Sequence, residues 1–130
     1  LVANEKVEGS SPFARSIKFM DQLYKKKCVV CDGNTIPFDI SEIHKYLKKI
    51  NEWDVKSNNE ENYYLEKNFK FKNFGESQLF VNKVGSIAEI EGHHPDIYFG
   101  WGYAKIKIFT HAINGLAESD FILASKIDLI

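Results

Sequence analysis

A chain of 130 residues, 44% hydrophobic and 14% aromatic, is long enough for one domain with a modest core. Its 17 basic and 18 acidic residues give a formal charge of −1, which leaves no cationic excess for a phosphate backbone and argues against a direct nucleic-acid partner. Lys, Asp or Glu interrupts every apolar run before it reaches the roughly 18 to 20 residues of a membrane span, so a soluble chain with no membrane partner is expected.

Residues 1–38 differ from the rest. "NEKVEGSSP" lacks apolar periodicity and "DGNTIP" is dense in turn formers. Between them "FARSIKFMDQLYKKK" spaces Ile17, Met20 and Leu23 or Tyr24 for a short helix. We read 1–38 as an N-terminal extension packed against a domain spanning 39–130. The chain opens on Leu1 and not Met, so a processed or trimmed start is expected, and a targeting peptide would not be visible. Cys28 and Cys31 form a lone Cys-x-x-Cys in this extension. No second knuckle completes a four-ligand zinc site, and turn sequence follows where a thioredoxin-like pair needs alternating strands and helices. Packing or capping cysteines, partial metal ligands and a redox pair all stay open. Two cysteines cannot build a disulfide framework, which suits a reducing compartment; the cytoplasm is expected, without distinguishing a nuclear or organellar pool.

Asp39 followed by Glu42 has the spacing of a capping box, and Ile43, Tyr46 or Leu47 and Ile50 repeat at helical intervals. "WDVK" and "NYYLEKNFKFK" flank the polar turn "SNNEEN" as a hairpin. Tyr63, Leu65, Phe69 and Phe71 fall on one parity, with Glu66, Asn68, Lys70 and Lys72 on the other. Asn73 and Glu76 repeat the capping spacing before a helix over 74–91, with Phe74, Val81, Val84 and Ala88 on one stripe and Gly92 as its stop. "DIYFGWGYAKIKIFTH" gives two strands around Gly100 to Gly102, with Ala104, Ile106 and Ile108 alternating against Lys105 and Lys107. "SDFILASKIDLI" closes the chain as an amphipathic helix with Asp120 in its first turn. The order helix, hairpin, helix, hairpin, helix predicts an α+β fold: an antiparallel four-stranded sheet with helices on one face and a Lys- and Glu-rich face left open.

Three of the four histidines flank the second hairpin, His93 and His94 at its entrance and His111 at its exit. A hairpin brings its ends together, so these imidazoles can share one pocket. Glu89 lies one helical turn before Gly92, and Asp120 opens the last helix. Adjacent residues in extended backbone point opposite ways, which makes His93-His94 awkward as joint metal ligands. Imidazoles suit proton transfer, since an unperturbed pKa near 6.5 keeps both forms available. A capping and turn-bonding role stands beside both readings. His44 is expected at the surface.

The spacing Glu89-x-x-x-His93-His94-Pro95, followed by Trp101, His111 and Asp120, resembles the signature of the pterin-4a-carbinolamine dehydratases. The "CVVC" turn, Trp53 in "INEWDV", "NFKFKNFGESQLFVNKVGSIAE" and "HAINGLAESDFILASKID" extend the resemblance over roughly residues 25–128. It implies an enzyme that dehydrates 4a-hydroxytetrahydropterin to the quinonoid dihydropterin, in tetrahydrobiopterin recycling, with no metal and no organic cofactor. Carried over by position, His93, His94 and His111 form the catalytic set. His93 and His111 would be the proton-transfer pair, and His94 would hold the pterin and its hydroxyl. Asp120 would orient His111 or the substrate, Glu89 would anchor polar pterin atoms, and Trp53 would supply an aromatic wall. The resemblance also implies a homodimer or homotetramer, for which "YAKIKIFT" could pair across a two-fold and "FILASKIDLI" offers apolar surface. From another class comes the alternative of a dimerisation cofactor for a transcription factor, bound through a helical face. Two departures stand out: Ala117 occupies a position often held by a Ser or Thr cap, weakening that helix start by about 1 kcal/mol, and "CVVC" lacks a proline before its second cysteine.

Overall fold

The computed structural model describes residues 22–30, 32–58 and 62–130. Helix α1 (Ile40–Leu47) leads into strands β1 (Asp54–Ser57) and β2 (Tyr63–Lys70), then helix α2 (Phe74–Glu91), strands β3 (Asp96–Gly100) and β4 (Tyr103–Ile108), and helix α3 (Glu118–Ile127). The strands form one antiparallel sheet in the order β1-β2-β4-β3. The fold is thus the expected α+β arrangement of three helices and a four-stranded sheet.

Both expected capping spacings are realised. The Asp39 carboxylate accepts the Glu42 N–H at 2.8 Å and the Asn73 amide oxygen accepts the Glu76 N–H at 2.9 Å, so each helix start has one orphan donor satisfied by a side chain. Period-two alternation sets the core face of the sheet. Leu65 stands opposite Ile108 and Phe69 opposite Ala104, while β3 brings Ile97 against Ile106 and Phe99 against Ala104. Leu65, Ala104, Ile106 and Ile108 are fully buried against Ile43, Val84, Phe121 and Leu123. The small Ala104 lies between two aromatic neighbours in its row, and Phe69 goes on to pack on Phe80 with ring centroids 4.5 Å apart. On the opposite face Glu66, Lys107 and Asp96 form a row, with Lys56 2.7 Å from the Glu66 carboxylate.

Four expectations change. Of the N-terminal helix, Ile17 and Met20 lie outside the described residues, and Leu23–Lys25 is a single 3-10 turn whose Leu23 enters the core. The buried stripe of α2 is Ser77, Phe80, Val84, Ala88 and Glu91, while Phe74 at the helix start is 45% exposed. Ser77 is tolerated there because its hydroxyl bonds back to the Asn73 carbonyl. Helix α3 is enclosed nearly all round and is not amphipathic: Phe121, Ile122, Leu123, Ala124 and Ile127 are buried within this one chain. Those side chains therefore offer no apolar surface to a second copy. Nor can β4 pair across a two-fold, because both its edges are occupied, by β2 and by β3. Among the described residues the open sheet edges belong to β1 and β3.

Candidate active site

The end of α2 is built by its sequence. Gly92 takes φ +66, the left-handed conformation in which a Cβ is disfavoured, and its N–H bonds the Glu89 carbonyl while the His93 N–H reaches back to Ala88. This paired closure satisfies the last carbonyls of the helix. It also fixes where His93 departs, one turn above Ala88, before Pro95 sends the chain into β3.

From that position His93 Nε2 lies 2.7 Å from Asp120 Oδ1. Asp120 is fully buried in the first turn of α3, and its other oxygen accepts the Thr110 hydroxyl at 2.7 Å and the Ala117 N–H at 2.9 Å. Because Ala117 has no side-chain oxygen, only this half of a capping box exists at α3, and the helix begins at Glu118, one residue before the expected Ser119. The Thr110 and Ala117 donors fix the carboxylate through its far oxygen. So fixed, it holds the imidazole with Nε2 toward Asp120 and Nδ1 turned away, the arrangement in which a second nitrogen can exchange a proton with a bound molecule.

Thr110 connects the third histidine. It pairs with Gly115 across a closed four-residue loop, Thr110 N–H to Gly115 O at 2.9 Å, made possible by Asn114 at φ +50. His111 opens this loop as an exposed side chain with its ring 4.3 Å from that of Phe109. The residue beside His111 thus shares a carboxylate with His93. His94 is exposed on the other side of His93, with Nε2 2.6 Å from Glu89 Oε1. Both partners face water, so the contact orients the ring and contributes little to stability.

The structure therefore gathers His93, Asp120 and the Thr110-His111 corner, with Glu89 and His94 on the adjoining surface. Asp120, expected to orient His111 or touch substrate, orients His93 and has no exposed surface, so it acts on a ligand only through its partners. Trp53, expected as an aromatic wall, is elsewhere. It is 6% exposed, its Nε1 donates to Asp128 Oδ1 at 2.9 Å, and its ring meets Phe69 edge-on. Asp128 ends α3, about 12 Å along the axis from Asp120 at the helical rise. Trp101 is exposed at the tip of the β3–β4 hairpin, the far end from the histidines. His44 is exposed on α1.

Cys28 is buried, and burial together with the Glu91 carboxylate pushes its thiol up to about 12. At neutral pH it remains an S–H, donating to the Ser119 carbonyl, neither a thiolate nucleophile nor a ready metal ligand. Cys31 lies outside the described residues. Among the described residues no three His, Cys, Asp or Glu side chains gather as a metal ion would require, and no helix is long and apolar enough to cross a membrane.

Sequence reasoning missed Thr110 and Glu91. Both carried a signal: Thr110 continues the inward parity of Ala104, Ile106 and Ile108, and Glu91 continues the buried stripe of α2. A polar group at an apolar register position demands a partner.

Residues 37–130 match the sequence profile of a family described as Pterin 4 alpha carbinolamine dehydratase. Relatives named provisionally as pterin-4-alpha-carbinolamine dehydratases include one from Alkaliphilus metalliredigens, 46% identical over 110 residues, covering 84% of this chain and 96% of the relative. Another, from Rubrobacter xylanophilus, is 44% identical over 109 residues, covering 84% and 98%. Among solved structures, a transcriptional coactivator/pterin dehydratase from Brucella melitensis superposes with a TM-score of 0.65 at 26% identity, covering 72% of this chain and 97% of that one. A pterin dehydratase-like protein described as a RuBisCO assembly factor in the alpha-carboxysome superposes with a TM-score of 0.52 at 24% identity, covering 61% and 88%; it shares the fold.

Proposed function

This chain belongs to the pterin-4a-carbinolamine dehydratase family, and we propose from that premise that it removes water from a 4a-hydroxytetrahydropterin by histidine acid/base chemistry, serving tetrahydrobiopterin recycling. Elimination breaks the C4a–O bond and forms the C4a=N5 double bond. The departing oxygen leaves as water once it gains a proton, and N5 gives up its proton to a base. Hydroxide is a poor leaving group, so protonation must accompany bond breaking. Two transfers at neighbouring ring atoms suit two imidazoles approaching from different directions, His93 and His111, with His94 and Glu89 holding polar atoms of the pterin. Asp120 keeps the Nε2 of His93 occupied and fixes the ring, while Thr110 and the Ala117 N–H keep that carboxylate in place.

The observation that supports this reading best is the buried carboxylate that takes His93 on one oxygen and Thr110, the neighbour of His111, on the other. Stopped-flow dehydration of enzymatically generated 4a-hydroxytetrahydropterin tests it. The expected result is turnover well above the buffer rate, lost in His93→Ala and His111→Ala proteins that keep the wild-type circular dichroism spectrum. A wild-type rate equal to the buffer blank removes the assignment.

A second reading takes its lead from the coactivator wording attached to the Brucella structure. A groove of about 230 Å³ lined by Tyr24, Ile87, Ile90 and Leu129 together with the Glu91–Lys126 ion pair supports a protein-binding role on the helical side. Binding of that kind would survive the histidine substitutions.

A further inference from the structure

His93 and Asp120 come from different elements, and their 2.7 Å contact requires the end of α2 to be held against the start of α3. Each element also carries a buried polar side chain next to its functional residue. Glu91 lies two positions before His93, and Ser119 immediately before Asp120. Neither is satisfied by the other. Instead, the consecutive amides of one N-terminal segment bond to them separately. The Cys28 N–H donates to Glu91 Oε1 at 2.9 Å, and the Val29 N–H donates to Ser119 Oγ at 2.9 Å. The Ser119 hydroxyl donates in turn to the Val29 carbonyl at 3.0 Å, so both functions of that hydroxyl are engaged by one residue. Lys27 Nζ adds a bond to the Ile90 carbonyl at 3.1 Å, and Lys26 Nζ one to Glu118 at 2.9 Å. Leu23, buried in the core, anchors the segment at its start.

We propose that residues 26–29 are a strap that sets the distance between the end of α2 and the start of α3, which makes Glu91 and Ser119 positioning residues for the His93–Asp120 pair. Adjacent peptide groups are a fixed length apart, so two helices bonded to neighbouring amides cannot slide independently. A hydrogen bond as short as that of His93 to Asp120 loses strength steeply with distance and angle. The inference rests on the dehydratase reading for its catalytic consequence and on the hydrogen bonds alone for its structural one.

The test separates the two. In the full chain, Ser119→Ala and Glu91→Met, which remove the acceptors of the Val29 and Cys28 N–H groups, should each lower kcat roughly tenfold with KM within about twofold, the size expected for a fraction of an ångström of misplacement. Ser119→Thr, which keeps a hydroxyl, should restore kcat to within about twofold of wild type. In an Asp120→Asn background, Ser119→Ala should add no further loss, because both act through one contact. Independently of turnover, the imidazole Nε2–H of His93 should give a protected proton resonance that broadens in Ser119→Ala and persists in Ser119→Thr. A Ser119→Ala protein with wild-type kcat and an unchanged His93 resonance overturns the proposal, as does a kcat loss that adds in full to that of Asp120→Asn. If Ser119→Ala does not fold, Glu91→Met carries the same comparison. A wild-type rate equal to buffer, alongside a His93 resonance that still responds to Ser119→Ala, would sink the dehydratase reading and leave the strap supported.

Discussion

Two carboxylates at opposite ends of α3 are both wrapped in donors, and they hold different kinds of partner. Asp120 holds an imidazole that reaches the surface, whereas Asp128 is occupied by Trp53, the Asn51 N–H and Lys67. Burial pushes the Asp128 carboxyl up, with Lys67 and the hydrogen bonds from Asn51 and Trp53 pulling the other way. The two sites should respond differently to substitution. Asp120→Asn replaces the carboxylate oxygen pair that orients the His93 ring, and kcat for pterin dehydration should fall on the order of 100-fold. Trp53→Phe keeps most of the apolar volume and removes one donor to a buried carboxylate, so urea unfolding should show a loss of about 1–3 kcal/mol with KM unchanged. A raised KM in Trp53→Phe would return that side chain to the binding site.

Between elements, Glu91 is the joint most exposed to pH. Burial alone would raise its carboxyl, but the Cys28 N–H and the Lys126 ammonium, 3.3 Å away, outweigh it and bring the group below the ordinary glutamate range. A carboxyl depressed in the folded state adds stability above its unfolded pKa, about 4.3, and that share disappears as pH falls through the folded value. Glu91→Gln should therefore cost about 1–2 kcal/mol at pH 7, with the gap to wild type narrowing below about pH 4 in denaturant titrations at both pH values. The elements themselves were legible because their signals are local: Asp39 and Asn73 cap the helices they were expected to cap, and the Leu65 and Ile106 parities set the sheet. What escaped was non-local. No spacing rule joins Cys28 to Glu91, Val29 to Ser119 or Trp53 to Asp128, since each partner lies more than sixty positions away and meets it only after the core closes. The meeting of the second hairpin's two ends, seen where His93 and Thr110 share Asp120, was legible from hairpin topology alone; which imidazole Asp120 would take was not.

For the whole molecule, assembly has to use surfaces other than α3 and β4, whose apolar side chains and hydrogen-bonding edges are already occupied. Leu79, Ile90 and Leu129 are 61%, 69% and 52% exposed on the helical side, and among the described residues the sheet ends in the open edges of β1 and β3. If copies associate through the helices, Leu79→Lys should shift sedimentation velocity toward a smaller species and leave dehydration per chain unaltered. An unshifted boundary would point to the strand edges. The position of β4 between β2 and β3 has a further consequence for how the site holds together in time. Amides of a central strand exchange with solvent only when most of the sheet opens, whereas the last turn of a helix frays readily. The loop bearing His111 hangs from that central strand, and His93 from the last residues of α2. Under mild destabilisation the two halves should come apart in order. Deuterium should enter around Gly92 and His93 well before it enters β4, so catalytic competence would disappear while the sheet is still intact.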